Sequence, residues 1–153
     1  MNSIRIHLGL LLAVIAIGSN AAEKPETKPE APATVTTNVP TVQVIAYYFH
    51  GTVRCVTCEK IERQAREVIE QKFKPELVAK RLVFKPLNYD LSENTHFLQE
   101  YKLPCPSLVL VRSKAGKDEK WKLLGDTWEL VEDTAKFNQY VEAEVAKFVR
   151  NSK

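Results

Sequence analysis

The stretch Tyr47-Tyr48-Phe49-His50-Gly51-Thr52-Val53-Arg54-Cys55-Val56-Thr57-Cys58 decides how the rest of the chain is read. An apolar run ends in it, a short loop follows, and a Cys-x-x-Cys pair opens a helical pattern. Two thiols at that spacing sit within disulfide reach when the second lies in the first turn of a helix. A helix N-terminus carries partial positive charge and unpaired N–H groups, so it favours a thiolate over a thiol. The expectation is a redox pair, Cys55 and Cys58, presented by the folded domain around it. A locked structural disulfide is the competing reading, but a loop this small adds little stability.

On the N-terminal side, Val42–Phe49 is a nearly continuous apolar run with β-branched and aromatic residues, the signature of a strand covered on both faces. On the other side, a helix is expected from about Cys55 to Phe73, with Ile61, Ala65, Val68, Ile69 and Phe73 on one stripe. Its acids, Glu59, Glu62 and Glu67 among them, form a solvated face rather than a catalytic pair. Pro75 opens a short helical continuation with Leu77 and Val78 as its apolar contacts. Leu82–Tyr89 reads as a second strand, placed at a sheet edge because Pro86 interrupts it. Ser92 is the expected N-cap of a helix over Glu93–Tyr101, which buries Phe97, Leu98 and Tyr101.

Leu103-Pro104-Cys105-Pro106 is a proline-constrained turn before a strand at Ser107–Arg112. A hairpin turn around Gly116 leads back through Glu119–Leu124. Asp133 is the expected N-cap of a last helix to about Arg150, whose Phe137, Tyr140, Val141, Val145, Phe148 and Val149 recur at helical spacing. Trp128 is expected to plug a core edge. The whole is an α/β domain over 41–153: a four-stranded mixed sheet with helices on both faces.

Residues 1–21 read as a signal peptide: Arg5 gives a basic start, Leu8–Ile17 is apolar, and Ser19-Asn20-Ala21 offers small residues before a cut. The apolar part is short for a span, which takes roughly 20 residues. An uncleaved anchor is the alternative. Residues 22–40, rich in Pro, Glu, Lys, Thr and Ala, read as a disordered Pro-rich linker, with Val35-Thr36-Thr37 as a candidate edge strand. Export implies a periplasmic or secreted protein in an oxidising compartment.

The formal net charge of +3 is too balanced to argue for nucleic acid, and no Lys/Arg cluster is interleaved with aromatics. The expected partner is a redox partner protein, with no membrane contact beyond the export signal, and the chain is read as a monomer. With 3 cysteines there is neither a disulfide framework nor a four-ligand zinc site. No cofactor is expected other than the reversible Cys55–Cys58 disulfide, since no Gly-x-Gly-x-x-Gly follows a strand.

The strand and helix order, with Cys-x-x-Cys after the first strand and a proline opening the third, resembles the thioredoxin fold. Asn88–Asn94, Leu98–Tyr101 and Pro106–Leu110 carry the likeness through the later motif. The resemblance implies that Pro106 is the cis-proline beside the Cys-x-x-Cys, and that Cys105, Pro106 and Arg54 border a substrate groove. The phrase Tyr-Tyr-Phe-His-Gly-Thr-x-Arg-Cys-x-Thr-Cys is narrower. It is similar to a family of small exported bacterial thioredoxin-like proteins named for a nitrophenyl compound nitroreductase subunit, the ArsF family, whose name implies a redox or arsenic-related context. The chain departs from ordinary thioredoxins in its Val56-Thr57 interior and in having no tryptophan before Cys55. Its first strand also lacks an acid that would take a proton from Cys58.

Cys55 is the expected nucleophile, Cys58 the residue that displaces the mixed disulfide, and Arg54 a source of positive potential beside Cys55. Cys105 is read first as a small core residue. The alternatives are a regulatory or resolving thiol, or the third sulfur of a metal site with Cys55, Cys58 and His50, suited to a soft ion such as Cu(I) or trivalent arsenic. His50 is otherwise a hydrogen-bonded structural histidine, and His96 faces solvent. Tyr47 and Tyr48 are expected as core and surface neighbours.

Overall fold

The structure, a computed structural model, describes residues 41–150. The expected signal peptide, the linker and the candidate strand at Val35–Thr37 lie outside the described residues.

Strand β1 (Val42–His50) is the axis of the domain. It pairs in parallel with β2 (Leu82–Asn88) and antiparallel with β3 (Ser107–Lys114). Strand β4 (Lys117–Leu123) pairs antiparallel with β3, so the sheet order is β2-β1-β3-β4. Side chains alternate across a strand, and both faces of β1 are used. Val44, Ala46 and Tyr48 enter a core with α1 (Val56–Lys72) and α5 (Thr134–Arg150). Tyr47 and Phe49 enter a second core with Leu87, Tyr101, Val109 and Val111. Both tyrosines are therefore buried, and neither is the surface neighbour that the run suggested.

Pro86 lies in the edge strand β2, opposite Tyr48 of β1, where a residue without an N–H can be accommodated. Short helix α2 (Lys74–Val78) follows α1 directly. Leu77 packs on the core as expected, but Val78 is 84% exposed. The turn between β3 and β4 places Ala115 and Gly116 at positive φ, 48° and 78°, as a two-residue hairpin whose twist matches its strands requires. Asp133 caps α5, its Oδ1 accepting from the Lys136 N–H at 3.1 Å.

Two local expectations are corrected. The helix after β2 is only α3 (Phe97–Glu100), and Ser92 does not cap it. Residues 88–95 instead spend their polar side chains on one another's backbone: the Asp90 N–H donates to Asn88 Oδ1, Asn94 Nδ2 to the Asn88 carbonyl, and Thr95 Oγ1 to the Ser92 carbonyl. Such local bonds compete with helix formation. Leu98 is 37% exposed, while Phe97 and Tyr101 pack inward. The second correction is α4 (Thr127–Leu130), a helix before α5 that carries Trp128 onto the core.

The strand order, one parallel and two antiparallel pairings, α1 with α5 on one face and α3 on the other make a thioredoxin-like fold. That arrangement places the start of α1 just beyond the C-terminal end of β1.

Candidate functional site

Cys55 is the N-cap of α1, in extended conformation with φ −99° and ψ 156°. Its Sγ accepts from the Cys58 N–H at 3.0 Å and its carbonyl from the Glu59 N–H at 3.0 Å. A sulfur thus occupies the place an N-cap oxygen commonly takes. Cys55 and Cys58 are joined in a disulfide with Cα atoms 5.0 Å apart. The two halves differ in access: Cys55 is exposed, whereas Cys58 is 5% exposed. On reduction, a thiolate at Cys55 would meet the free N–H groups and positive end of a 17-residue helix. Close to it in sequence, Val53 and Val56 are 89% and 85% exposed, one before and one after Cys55 in the chain.

Beneath the pair lies Tyr48. Its hydroxyl donates to the Cys58 carbonyl at 2.6 Å, tying the sheet to the first turn of α1. Burial is the main cause that raises its pKa well beyond the ordinary phenol value, with Glu62, Cys105 and Tyr89 adding to it and Arg54 opposing. The hydroxyl therefore stays a donor at any working pH.

Arg54 is not a free charge at Cys55. Its guanidinium ion-pairs with Glu62 and lies over the Tyr48 ring, 5.9 Å from the centroid. Arg66 Nη2 donates to the other Glu62 oxygen at 2.7 Å. Burial pushes the Glu62 carboxyl up, but hydrogen bonds and charge from both arginines outweigh it and hold the pKa below the ordinary carboxylate value.

The loop from His50 to Arg54 is latched to the chain after β2. The Thr52 N–H donates to Asp90 Oδ2 at 2.7 Å, Asn88 Nδ2 to Thr52 Oγ1 at 3.0 Å, and the Tyr89 N–H to the His50 carbonyl at 2.9 Å. Gly51 is buried in this latch, and a Cβ there would sit 3.1 Å from Asp90 Oδ2 and 3.3 Å from the Tyr89 hydroxyl oxygen. His50 Nδ1 is 2.9 Å from the Gly51 carbonyl oxygen, which makes it the protonated ring nitrogen, and its ring stacks on Tyr48. Asp90→Ala is expected to cost about 1.5–3 kcal/mol, the range for a hydrogen bond to a charged group. It should also raise amide hydrogen exchange at Thr52 while the protein stays folded. Unchanged protection at Thr52 would show that the latch does not hold the loop.

Cys105 is a free, half-buried thiol. A thiolate at Cys105 would add to the rise that burial causes in the pKa of the Tyr48 and Tyr89 hydroxyls, so Cys105 lies near both. Its carbonyl accepts from Ser107 Oγ at 2.7 Å, and the Pro106 carbonyl accepts from Trp128 Nε1 at 2.9 Å. Trp128 therefore fixes the turn as well as filling the core. With Cys55 and Cys58 joined to each other, Cys105 and His50 are the remaining members of the candidate metal set. Among the described residues no group of three or more His, Cys, Asp or Glu side chains is placed to hold a metal ion. Among the described residues, too, no helix is long and apolar enough to cross a membrane.

Glu62, expected on a solvated face, is instead only 15% exposed and paired with Arg54 and Arg66, while Tyr48 was expected only as a core or surface neighbour and Asp90 had no expected role. Glu62 was findable: Cys55, Cys58 and Glu62, spaced by 3 and 4, share one helix face. Asp90 carried no such signal, because its contact spans 38 residues of chain.

No family model matches the chain, and no curated protein does. Among solved structures it is similar to a thioredoxin of Fasciola hepatica, with 14% identity over 72% of this chain and 82% of that one and a TM-score of 0.41. It is similar also to Trxlp of Edwardsiella tarda EIB202, with 15% identity, 65% and 82% coverage and a TM-score of 0.40. A thioredoxin of Thermus thermophilus gives 20% identity, 69% and 76% coverage and a TM-score of 0.41. The thioredoxin-like fold rests on the strand order, pairing and helix placement of the chain itself.

Proposed function

We propose that this chain is an exported thiol–disulfide oxidoreductase that exchanges the Cys55–Cys58 disulfide with thiols or disulfides of another protein. The observation that supports it is the unequal access of two bonded sulfurs at a helix N-terminus, one exposed and one buried. In the reducing direction, the Cys55 thiolate attacks a sulfur of the partner disulfide. One S–S bond forms, the partner's other sulfur leaves as a thiolate, and the buried Cys58 then displaces the partner from Cys55. Two electrons pass to the partner, both of its sulfurs end as thiols, and the Cys55–Cys58 disulfide is restored. The opposite direction runs through the same mixed disulfide, and no further cofactor enters.

Val53 and Val56 would give a partner's polypeptide an apolar surface on which to lie while the sulfurs meet. Cys105 and Pro106 would border the other side, and Arg54 would stay behind Cys55. The narrower likeness of residues 47–58 to the ArsF family supports periplasmic or secreted placement, which cell fractionation tests.

The experiment is reduction of insulin by dithiothreitol with and without the purified protein. The expected result is accelerated turbidity that disappears after alkylation of the reduced protein. No exchange by the wild type, combined with tight Cu(I) or arsenite retention by the reduced form, would replace this reading with a soft-ion carrier using Cys55, Cys58 and Cys105.

A further inference from the structure

We propose that Glu62 regulates the oxidising strength of the Cys55–Cys58 pair by holding the Arg54 guanidinium as an ion pair one helical step behind the sulfurs. This inference rests on the exchange function proposed above. The geometry that carries it is a short chain of contacts. Arg54 is the residue before Cys55, and its side chain folds back over the Tyr48 ring to reach Glu62. Among the described residues Arg54 Nε is buried without a hydrogen-bond partner, and the hydrogen bond from Nη2 to Glu62 anchors the guanidinium. The pair is mostly shielded, with side-chain exposures of 25% for Arg54 and 15% for Glu62. Charges so placed are screened less by water and salt than surface charges are.

Sign follows from charge balance. The disulfide is neutral, and its two-electron reduction with uptake of one proton at Cys58 leaves a thiolate at Cys55. A positive charge nearby stabilises that reduced form and makes the pair a stronger oxidant. A negative charge does the reverse. Glu62 opposes Arg54 and adds its own negative field, and Arg66 in turn compensates part of it. Other ionisable groups near the helix start among the described residues include Glu59 in the first turn, Lys60 held by Glu132, Asp90 across the loop, and the Cys105 thiol. Asp90 and the Lys60–Glu132 pair are engaged in contacts that do not pass through Arg54.

The test is equilibration of the wild type and variants with glutathione and glutathione disulfide, read by alkylation and mass. Two glutathione thiols and the Cys55–Cys58 disulfide stand on one side, and glutathione disulfide with the reduced pair stands on the other. Glu62→Gln is expected to shift the equilibrium about tenfold toward the reduced pair, which is about 30 mV for this two-electron couple. The Cys55 alkylation rate at pH below the ordinary thiol range should rise with it. Arg54→Met, which keeps an unbranched stem over Tyr48 and removes the charge, should shift the equilibrium in the opposite direction. In the double variant Arg54→Met/Glu62→Gln the Glu62 effect should shrink. A merely structural Glu62 would change urea stability and leave the equilibrium where it was, and that result would overturn the proposal while leaving exchange intact. Failure of the wild type to equilibrate with glutathione at all would overturn the exchange function itself.

Discussion

Cys58→Ser is expected to accumulate a stable mixed disulfide through Cys55, and its turnover with insulin should fall by orders of magnitude to the uncatalysed background. Cys55 is the exposed sulfur and can still attack. What is lost is the buried thiol that would break the new bond from within. Cys55→Ser should give neither turnover nor adduct, because Cys58 is covered and Cys105 is only half exposed. Mass spectrometry of the intact protein after mixing with an excess of glutathione disulfide distinguishes these outcomes. An adduct of one glutathione on Cys58→Ser, mapped to Cys55, is the expected product. If Cys58→Ser turns over normally, the resolving sulfur is elsewhere. Adding Cys105→Ser then decides whether it is Cys105, which lies near the Tyr48 hydroxyl that donates to the Cys58 carbonyl. A serine at 58 also leaves the helix start largely intact, since the bond from the residue 58 N–H to Cys55 Sγ uses only the backbone of residue 58.

The outline of the fold was legible wherever periodicity ran long enough to speak. The β1 run announced burial on both faces, and both cores indeed draw on it. The stripe of α1 named Ile61, Ala65, Val68 and Ile69, all of them buried. Pro86 placed β2 at the edge because a missing N–H is tolerated there. What stayed illegible is short or cooperative. Helix α4 has 4 residues, too few for a helical period to show. The segment after β2 looked helical from its later apolar residues. Asn88, Asn94 and Thr95, however, turn their side chains to local backbone and delay the helix to Phe97.

The same division runs through the site. Cys55 and Cys58 are local, and their spacing alone placed them at a helix start. Arg54 was legible as a charge but not as a paired one, because its direction depends on how the loop meets α1. Tyr48 was legible as apolar filling, whereas its hydroxyl bond to Cys58 is a consequence of where β1 ends beneath α1. Asp90 meets Thr52 only because β2 lies parallel to β1, with Asn88 opposite His50. Parallel register is a tertiary fact, and no window of sequence contains it.

Tyr48→Ala is expected to destabilise the protein by about 3–5 kcal/mol, the range for truncating a buried aromatic side chain. The residue is fully buried in the core between β1, α1 and α5, so the volume it leaves cannot be filled by solvent-facing groups. Its loss also removes the ring over which Arg54 folds and the bond to the Cys58 carbonyl. Tyr48→Phe separates these effects. It keeps the ring and removes only the hydroxyl, and should cost about 1 kcal/mol, the usual net value of one hydrogen bond. The Cys58 carbonyl keeps its place in the helix ladder, so it is not left without a donor. Urea unfolding of the oxidised protein checks both, with an unchanged slope in Tyr48→Phe showing that only stability has moved. A loss in Tyr48→Ala no larger than in Tyr48→Phe would mean that the ring is not what seats α1 on the sheet. In that case the Cys-x-x-Cys would owe its position to the Asp90 latch, and Asp90→Ala should then show the larger fall in stability of the two.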